Sequence, residues 1–169
     1  MVSDPARERV IVVDRDNTPI GVAPRARVRA EGLVHRATYI FVISSRGELL
    51  VQRRTTIKDL YPGQLDAAAG GVVVAGESYE ESASRELAEE LGIEDAALER
   101  HFDFLFEDAG NACWGRVYLC RHDGPFRLQP EEVADAAFHP VEQVLDGTLA
   151  PVTPDTLVAL ERLRAQGAI

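Results

Sequence analysis

Short apolar or alternating runs separated by turn-forming residues dominate the pattern of hydrophobic and polar positions along the chain. Such runs are typical of half-buried and buried β-strands. They predict strands at residues 9–13, 20–22, 38–43, 48–53, 101–107, 112–121 and 136–139. The first two should form a hairpin over about residues 9–22. Two glycines interrupt the small-residue segment 65–74, which indicates a close backbone approach there.

Two longer helices have boundary signals in the sequence. Ser78 and Glu81 have the spacing of a capping box, and Gly92 follows the last helical position, so the pattern predicts a helix that ends at Leu91. Thr153 precedes a proline that suits the first position of a second helix. A short helical turn is expected over residues 140–145.

This arrangement of elements limits the fold class. Strands with helices between them, but without regular βαβ alternation, predict an α/β or α+β fold in which helices cover a mixed sheet. The 169 residues suit one domain over positions 1–169.

Composition narrows the function. A net charge of −10 argues against a nucleic-acid polymer as partner, so an anionic ligand needs a local basic pocket. No apolar run reaches the roughly 20 residues of a membrane span, and the N-terminus lacks a signal-peptide core, so we expect a cytoplasmic protein without membrane contact. Cys113 and Cys120 are expected to be buried free thiols.

The predicted helix over residues 78–91 has an acidic face. Glu86, Glu89 and Glu90 stand at offsets 0, 3 and 4, which places their side chains together. Neighbouring carboxylates repel each other by about 3 kcal/mol at roughly 5 Å and an effective dielectric near 20. A hard divalent cation such as Mg2+ relieves that repulsion and also binds phosphate oxygens. A solvated acidic face is the alternative interpretation.

A longer motif favours the metal-binding interpretation. Residues 71–93 fill every specified position of the pattern G-x5-E-x7-R-E-U-x-E-E-x-G-U, in which U is a bulky aliphatic residue. In this motif the chain resembles the Nudix hydrolase family. The resemblance implies the Nudix fold, a mixed β-sheet sandwiched between helices. It also implies Mg2+- or Mn2+-dependent pyrophosphohydrolase activity on a small substrate of the nucleoside-diphosphate type, by attack of a metal-activated water.

The resemblance also assigns roles to individual residues. Glu86 and Glu90 would be the principal metal ligands, the Gly70 carbonyl a backbone ligand, and Glu89 a ligand or a group that orients water. The expected structural support of the site consists of Gly71, Glu77, Arg85 and Gly92, with Glu77 and Arg85 as an ion pair.

A further acidic residue is expected from outside the motif. Glu132 is our candidate for a general base or additional ligand, because the family commonly keeps a glutamate before the following strand. Its rivals are Glu131, Glu107 and Asp108. Glu131 and Glu132 could equally be ordinary loop charges.

Outside the motif, the chain looks like the branch related to isopentenyl diphosphate isomerase. That resemblance makes Arg54 and Lys58 the candidate diphosphate-binding residues, with solvated strand-end charges as the alternative. It does not extend to the catalytic positions, because Gly70 stands where the isomerase has its cysteine and Val72 where it has a metal-binding histidine. Hydrolysis is therefore expected, and His35 is expected to be a packed histidine at a strand edge.

Two other functions stay open at this point. They are an isomerase-like enzyme and a non-catalytic nucleotide-binding domain of the same fold. The organic part of the substrate is also open, since nucleoside phosphates, nucleotide sugars, ADP-ribose and isoprenoid diphosphates all carry the required bond. A homodimer through the N-terminal hairpin is possible, although no residue pattern indicates it.

Overall fold

The described part of the chain, residues 4–169 of a computed structural model, contains eight strands and four α-helices. A single 3-10 turn, Pro5–Arg7, precedes them. The elements are β1 (Arg9–Val13), β2 (Pro19–Pro24), α1 (Arg25–Glu31), β3 (His35–Ile43), β4 (Leu49–Arg54), β5 (Leu65–Asp66), α2 (Tyr79–Leu91), β6 (Glu99–Glu107), β7 (Ala112–Arg121), β8 (Val133–His139), α3 (Val141–Leu145) and α4 (Pro154–Ala165).

The strands form one mixed sheet. β3 pairs with β7 in parallel along its whole length, from His35 opposite Cys113 to Ile43 opposite Arg121. All other strand pairs are antiparallel: β1 with β2 and β3, β4 with β3, β5 and β8, and β6 with β7. The sheet is therefore mixed, as expected.

Helices cover both faces of the sheet. Tyr39 and Phe41 of β3 belong to one buried cluster together with side chains of α4. Ile40 and Val42, which point to the opposite face, belong to a second cluster together with Leu87 and other residues of α2. Because β3 is buried on both faces, its sequence is a continuous apolar run. The expected sandwich of a sheet between helices is confirmed.

Both predicted ends of α2 are confirmed. The Ser78 hydroxyl accepts from the Glu81 backbone N–H at 3.1 Å, and the Glu81 carboxylate accepts from the Ser78 N–H at 2.8 Å. A capping interaction of this kind typically contributes about 1 kcal/mol. Gly92 ends the helix with φ of 70°, a left-handed conformation that favours glycine.

The structure differs from the sequence-based expectation in one helix and in several strand bounds. The polar segment after β2 forms α1, in which only Val28 is buried and no side chain caps the N-terminus, so the usual helix signals are missing. β3, β6 and β8 each begin two or three residues before the predicted start. Thr153 does precede α4, but its hydroxyl contacts Asp66 and Thr156 instead of capping the helix.

Two composition-based expectations can be compared with the structure. Cys113 and Cys120 are buried free thiols, as predicted. Within residues 4–169 no helix has both the length and the apolar character that a membrane span needs.

Candidate active site

The acidic face of α2 lies against the glycine pair Gly70 and Gly71. The Gly70 N–H donates to Glu90 Oε2 at 3.3 Å. Gly71 lies so close to Glu86 that a β carbon at position 71 would be 2.7 Å from Glu86 Oε1. The two carboxylates therefore meet at one stretch of backbone that has no side chains.

Pairing with β3 holds this stretch in place. The Thr38 N–H donates to the Gly71 carbonyl at 2.9 Å, and the Ile40 N–H donates to the Ala69 carbonyl at 2.8 Å. At Gly70, φ is 138° and a β carbon would lie 2.0 Å from the Thr38 carbonyl oxygen. Only glycine fits there, which confirms the close backbone approach predicted from the sequence.

The Gly70 carbonyl lies between these two paired carbonyls. It accepts no hydrogen bond from any of residues 4–169, so its oxygen is available to a ligand.

Burial makes the glutamate pair electrostatically unfavourable. Glu90 is 6% exposed, and the side chain of Glu86 is 12% exposed. Burial raises the pKa of Glu90 well above its ordinary value, and the neighbouring Glu86 carboxylate raises it further. Burial likewise raises the pKa of Glu86, against the opposing effect of Arg85. A bound cation would stabilise the ionised form of both groups.

Arg85 connects the preceding loop to the acidic face. Its guanidinium donates to both carboxylate oxygens of Glu77, at 2.8 and 3.2 Å. The remaining terminal nitrogen, Nη1, donates to Glu86 at 3.0 Å and to Glu89 at 3.1 Å. The predicted ion pair between Glu77 and Arg85 is therefore present, and the same arginine orients two of the three glutamates.

A groove of about 590 Å³ runs over the acidic face. This volume lies in the range of about 300–1,000 Å³ that is typical of small-molecule sites. Its acidic lining residues include Glu86, Glu89, Glu90, Glu131 and Glu132, and its basic lining residues include Arg25, Arg29 and Lys58.

The predicted residues outside the motif separate into two groups. Lys58 and Glu132 both line the groove, and they form an ion pair with each other. Arg54 does not line it: the guanidinium donates to Asp66 at 3.0 Å and to the Leu60 carbonyl at 3.0 Å, beside a smaller neighbouring cavity.

Of the three alternatives to Glu132, only one lies at the groove. Glu131 lines the groove. Glu107 instead pairs with Arg15, and Asp108 accepts from the Tyr61 hydroxyl, so neither borders the groove.

The sequence did not predict that two arginines line the groove. Arg25 and Arg29 both lie on α1, and both donate to Asp59, at 2.8 and 3.1 Å. Their spacing of four residues was the available signal, but it has meaning only on a helix. Since α1 was not predicted, the two arginines were not recognised as neighbours. His35, which lies beside Arg29, is 2% exposed, as expected for a packed histidine.

The donor atoms of the site suit a hard cation. Among residues 4–169, no three acidic, histidine or cysteine side chains converge as a ready ligand set, since Glu89 is turned toward Arg85. Mg2+ commonly takes only one or two protein carboxylates and completes its shell with waters and substrate phosphates. The pair Glu86 and Glu90, together with the Gly70 carbonyl, fits that requirement.

Comparison with known proteins shows the family to which the chain is similar. The sequence profile of the NUDIX domain matches residues 33–160. The chain is 48% identical to the uncharacterized Nudix hydrolase PA4841 of Pseudomonas aeruginosa over 154 residues, which cover 90% of this chain and 91% of that protein. It is 46% identical to the uncharacterized Nudix hydrolase YfcD of Escherichia coli, covering 90% of this chain and 84% of that protein.

Solved structures agree with this assignment. The crystal structure of DR0079 from Deinococcus radiodurans superposes with a TM-score of 0.81 at 27% identity, covering 92% of this chain and 98% of that chain. The NUDIX domain of NrtR from Shewanella oneidensis, solved in complex with ADP ribose, superposes with a TM-score of 0.63 at 20% identity. The match covers 77% of this chain and 86% of that chain, and it shows a shared fold.

Proposed function

Because the chain belongs to the Nudix hydrolase family, we propose that it hydrolyses a phosphoanhydride bond in a small diphosphate-containing molecule, with Mg2+ or Mn2+ as cofactor. One observation carries the proposal. Two buried carboxylates, Glu86 and Glu90, border a ligand-sized groove that is also lined by the basic residues Arg25, Arg29 and Lys58. A cation at the two carboxylates and a phosphate beside the basic side chains would balance the charges of both.

The metal would be held by Glu86, Glu90 and the Gly70 carbonyl. When bound, such an ion supplies Lewis acidity to a phosphate and to an attacking water. Glu89 is the most exposed of the three glutamates, at 48% of its side chain. Because Arg85 fixes its position, we assign it to orienting water in the groove.

Lys58 and Glu132, which line the same groove as Glu86 and Glu90, would also act on the substrate. The Lys58 ammonium can leave Glu132 for a substrate phosphate, since both side chains line the same groove. That exchange would free the Glu132 carboxylate to accept a proton, the role of general base expected for it. Arg25 and Arg29 add positive charge to the same groove, where they favour an anionic ligand.

The proposed substrate class is an X-linked nucleoside diphosphate. The groove is large enough for such a molecule, and a domain of the same fold binds ADP ribose. Isomerisation of a carbon–carbon double bond has less support, because Gly70 and Val72 have no side chain able to move a proton. Three broader expectations stay predictions: one domain over residues 1–169, a cytoplasmic location and a homodimer through β1 and β2.

Analysis of the reaction products from a panel of compounds tests the proposal. Cleavage of an X-linked diphosphate gives two phosphomonoesters, whereas only a terminal diphosphate releases free phosphate. The panel contains ADP-ribose, nucleoside diphosphates, nucleotide sugars and isopentenyl diphosphate, each with Mg2+, with Mn2+ and with excess chelator. We expect hydrolysis of at least one nucleoside-diphosphate compound, and its loss with chelator. Tight metal binding without turnover of any compound would contradict the proposal and favour a binding domain. Conversion of isopentenyl diphosphate to its isomer without hydrolysis would favour the isomerase-like alternative.

A further inference from the structure

A second, smaller cavity adjoins the groove. It has a volume of about 70 Å³ and shares five lining residues with the groove: Arg25, Arg29, Lys58, Gly70 and Gly71. Because the two spaces meet at the glycine pair, a molecule whose diphosphate lies beside Glu86 could extend an organic group into the cavity. The residues that line only the cavity would therefore help to determine which organic group the protein binds.

Asn111 lines this cavity and carries an unpaired acceptor. The residue directly precedes β7 and is 6% exposed. Its Nδ2 lies 3.5 Å from Asp155 Oδ2, whereas its Oδ1 has no hydrogen-bond partner among residues 4–169. A carboxylate only accepts, so the amide must turn its NH2 toward Asp155. The nearby Tyr61 hydroxyl donates to Asp108 and does not satisfy Oδ1.

Asp155 is a second acceptor in the same wall. It lies in the first turn of α4 and is 9% exposed. The Tyr39 hydroxyl donates to its Oδ2 at 2.8 Å, and the Thr156 N–H donates to its Oδ1 at 3.0 Å. These bonds fix the orientation of the carboxylate, and Oδ1, which accepts only from Thr156, retains a free lone pair.

We propose that this cavity binds a hydroxyl-bearing edge of the substrate's sugar, with Asn111 Oδ1 and the Asp155 carboxylate as the accepting groups. The inference rests on the proposed function, since it places the diphosphate in the adjoining groove. A buried acceptor without a partner is unfavourable, and a donor from the ligand would satisfy it. Two neighbouring acceptors suit the hydroxyls of a sugar, which donate in the same way to an acidic side chain in other nucleotide sites.

The size of the cavity supports the edge of a sugar over a nucleobase. A cavity of about 150 Å³ holds benzene, and the volume available here is roughly half of that. The base would accordingly stay in the groove. A substrate that lacks the hydroxyls would leave the buried acceptors unpaired, and such sites reject the deficient analogue strongly.

Equilibrium binding tests the assignment without relying on turnover. The probes are UDP and 2′,3′-dideoxy-UDP, both with a methylene group in place of the bridging oxygen so that neither is hydrolysed. Calorimetry in Mg2+ compares the wild type with Asn111→Leu, which keeps the volume and removes the acceptor. Gln52→Met is the matched control, because Gln52 is equally buried but borders neither the groove nor the cavity. Asn111→Ala replaces the leucine variant if melting curves show that the latter does not fold.

The wild type and Gln52→Met should bind the hydroxylated probe about tenfold more tightly, and Asn111→Leu should bind the two probes within about twofold of each other. Equal binding of both probes by the wild type, or an unchanged preference in Asn111→Leu, would overturn the inference. Failure of the wild type to bind either probe would overturn it as well, while hydrolysis of other diphosphates would still support the proposed function. A wild type that shows the preference but hydrolyses nothing would support the cavity assignment and contradict the proposed function.

Discussion

Gly71 lies in contact with the carboxylate of Glu86, so that a β carbon on this glycine would come within 2.7 Å of Glu86 Oε1. Contacts this short do not occur between a β carbon and an oxygen. The position of the proposed ligand thus depends on the absence of a side chain on the facing loop, and on the pairing of that loop with β3.

Gly71→Ala should lower turnover by at least about tenfold, because the added methyl group displaces the Glu86 carboxylate from the proposed metal position. The fold should persist, since Gly71 does not have the positive φ that favours glycine. Steady-state kinetics together with melting curves check both parts.

Gly21→Ala is the matched control, because a β carbon at position 21 meets no atom within 4 Å. It should retain normal turnover. Equal activity of the two variants would show that the contact between Gly71 and Glu86 has no role in the reaction.

Arg85→Lys should reduce turnover by about 10- to 100-fold while changing the melting temperature little. Lysine keeps the charge but cannot donate to Glu77, Glu86 and Glu89 together, as the planar guanidinium does. Arg27→Lys is the control, since Arg27 forms only an exposed pair with Glu31. If Arg85→Lys were as active as Arg27→Lys, the supporting role of Arg85 would be wrong.

Local signals in the sequence allowed much of the fold and of the acidic site to be predicted. The capping box, the apolar stripe and the acidic face of α2 all lie within one helix, so their spacing determines which side chains are neighbours. For Gly70 the sequence predicted a close backbone approach but not its partner, Thr38. A glycine indicates that its position has no room for a side chain, but it does not indicate which residue lies there.

The groove residues outside the motif could not be predicted in the same way. The ion pair between Lys58 and Glu132 joins residues 74 positions apart, and neither lies in a motif that names the other. The acceptor pair Asn111 and Asp155 is likewise formed only by folding, when the end of a loop meets the first turn of α4. Long-range contacts of this kind depend on sheet order and loop paths.

Glu90→Gln should raise the stability of the metal-free protein. The substitution replaces a buried carboxyl group whose ionisation beside Glu86 is unfavourable, while the amide oxygen can still accept from the Gly70 N–H. The same variant should lose most of the stabilisation that Mg2+ gives to the wild type. Melting curves in chelator and in excess Mg2+ measure both effects. A variant less stable than the wild type in chelator, with an unchanged response to Mg2+, would contradict the electrostatic account.

Asp155 should make stability fall as pH rises from about 4 to about 6. Burial, with a contribution from Asp66, raises the pKa of Asp155 from 3.8 to about 6, so the folded state holds a proton that the unfolded state has released. The expected loss is up to about 3 kcal/mol across that interval.

Buried His35 has the opposite effect on the pH dependence of stability. Burial lowers its pKa from 6.5 to about 4, so its contribution to stability increases as pH rises from about 4 to 6.5. The useful quantity is consequently the difference in unfolding free energy between the wild type and Asp155→Asn at several pH values. Denaturant titrations should show this difference changing between pH 4 and 6 and constant above pH 7. A difference independent of pH would rule out the shifted titration of Asp155.

The most direct test of the proposed hydrolase is the Mg2+-dependent hydrolysis of a diphosphate substrate, followed by its phosphomonoester products, with the wild type, Glu90→Gln and Glu161→Gln. Glu161 lies exposed on α4, away from the groove, and serves as the matched loss of one carboxylate. We predict that Glu90→Gln lowers kcat by at least about a hundredfold while remaining folded, and that Glu161→Gln equals the wild type. Near-normal turnover by folded Glu90→Gln would contradict the assignment of the buried glutamate pair as the catalytic centre.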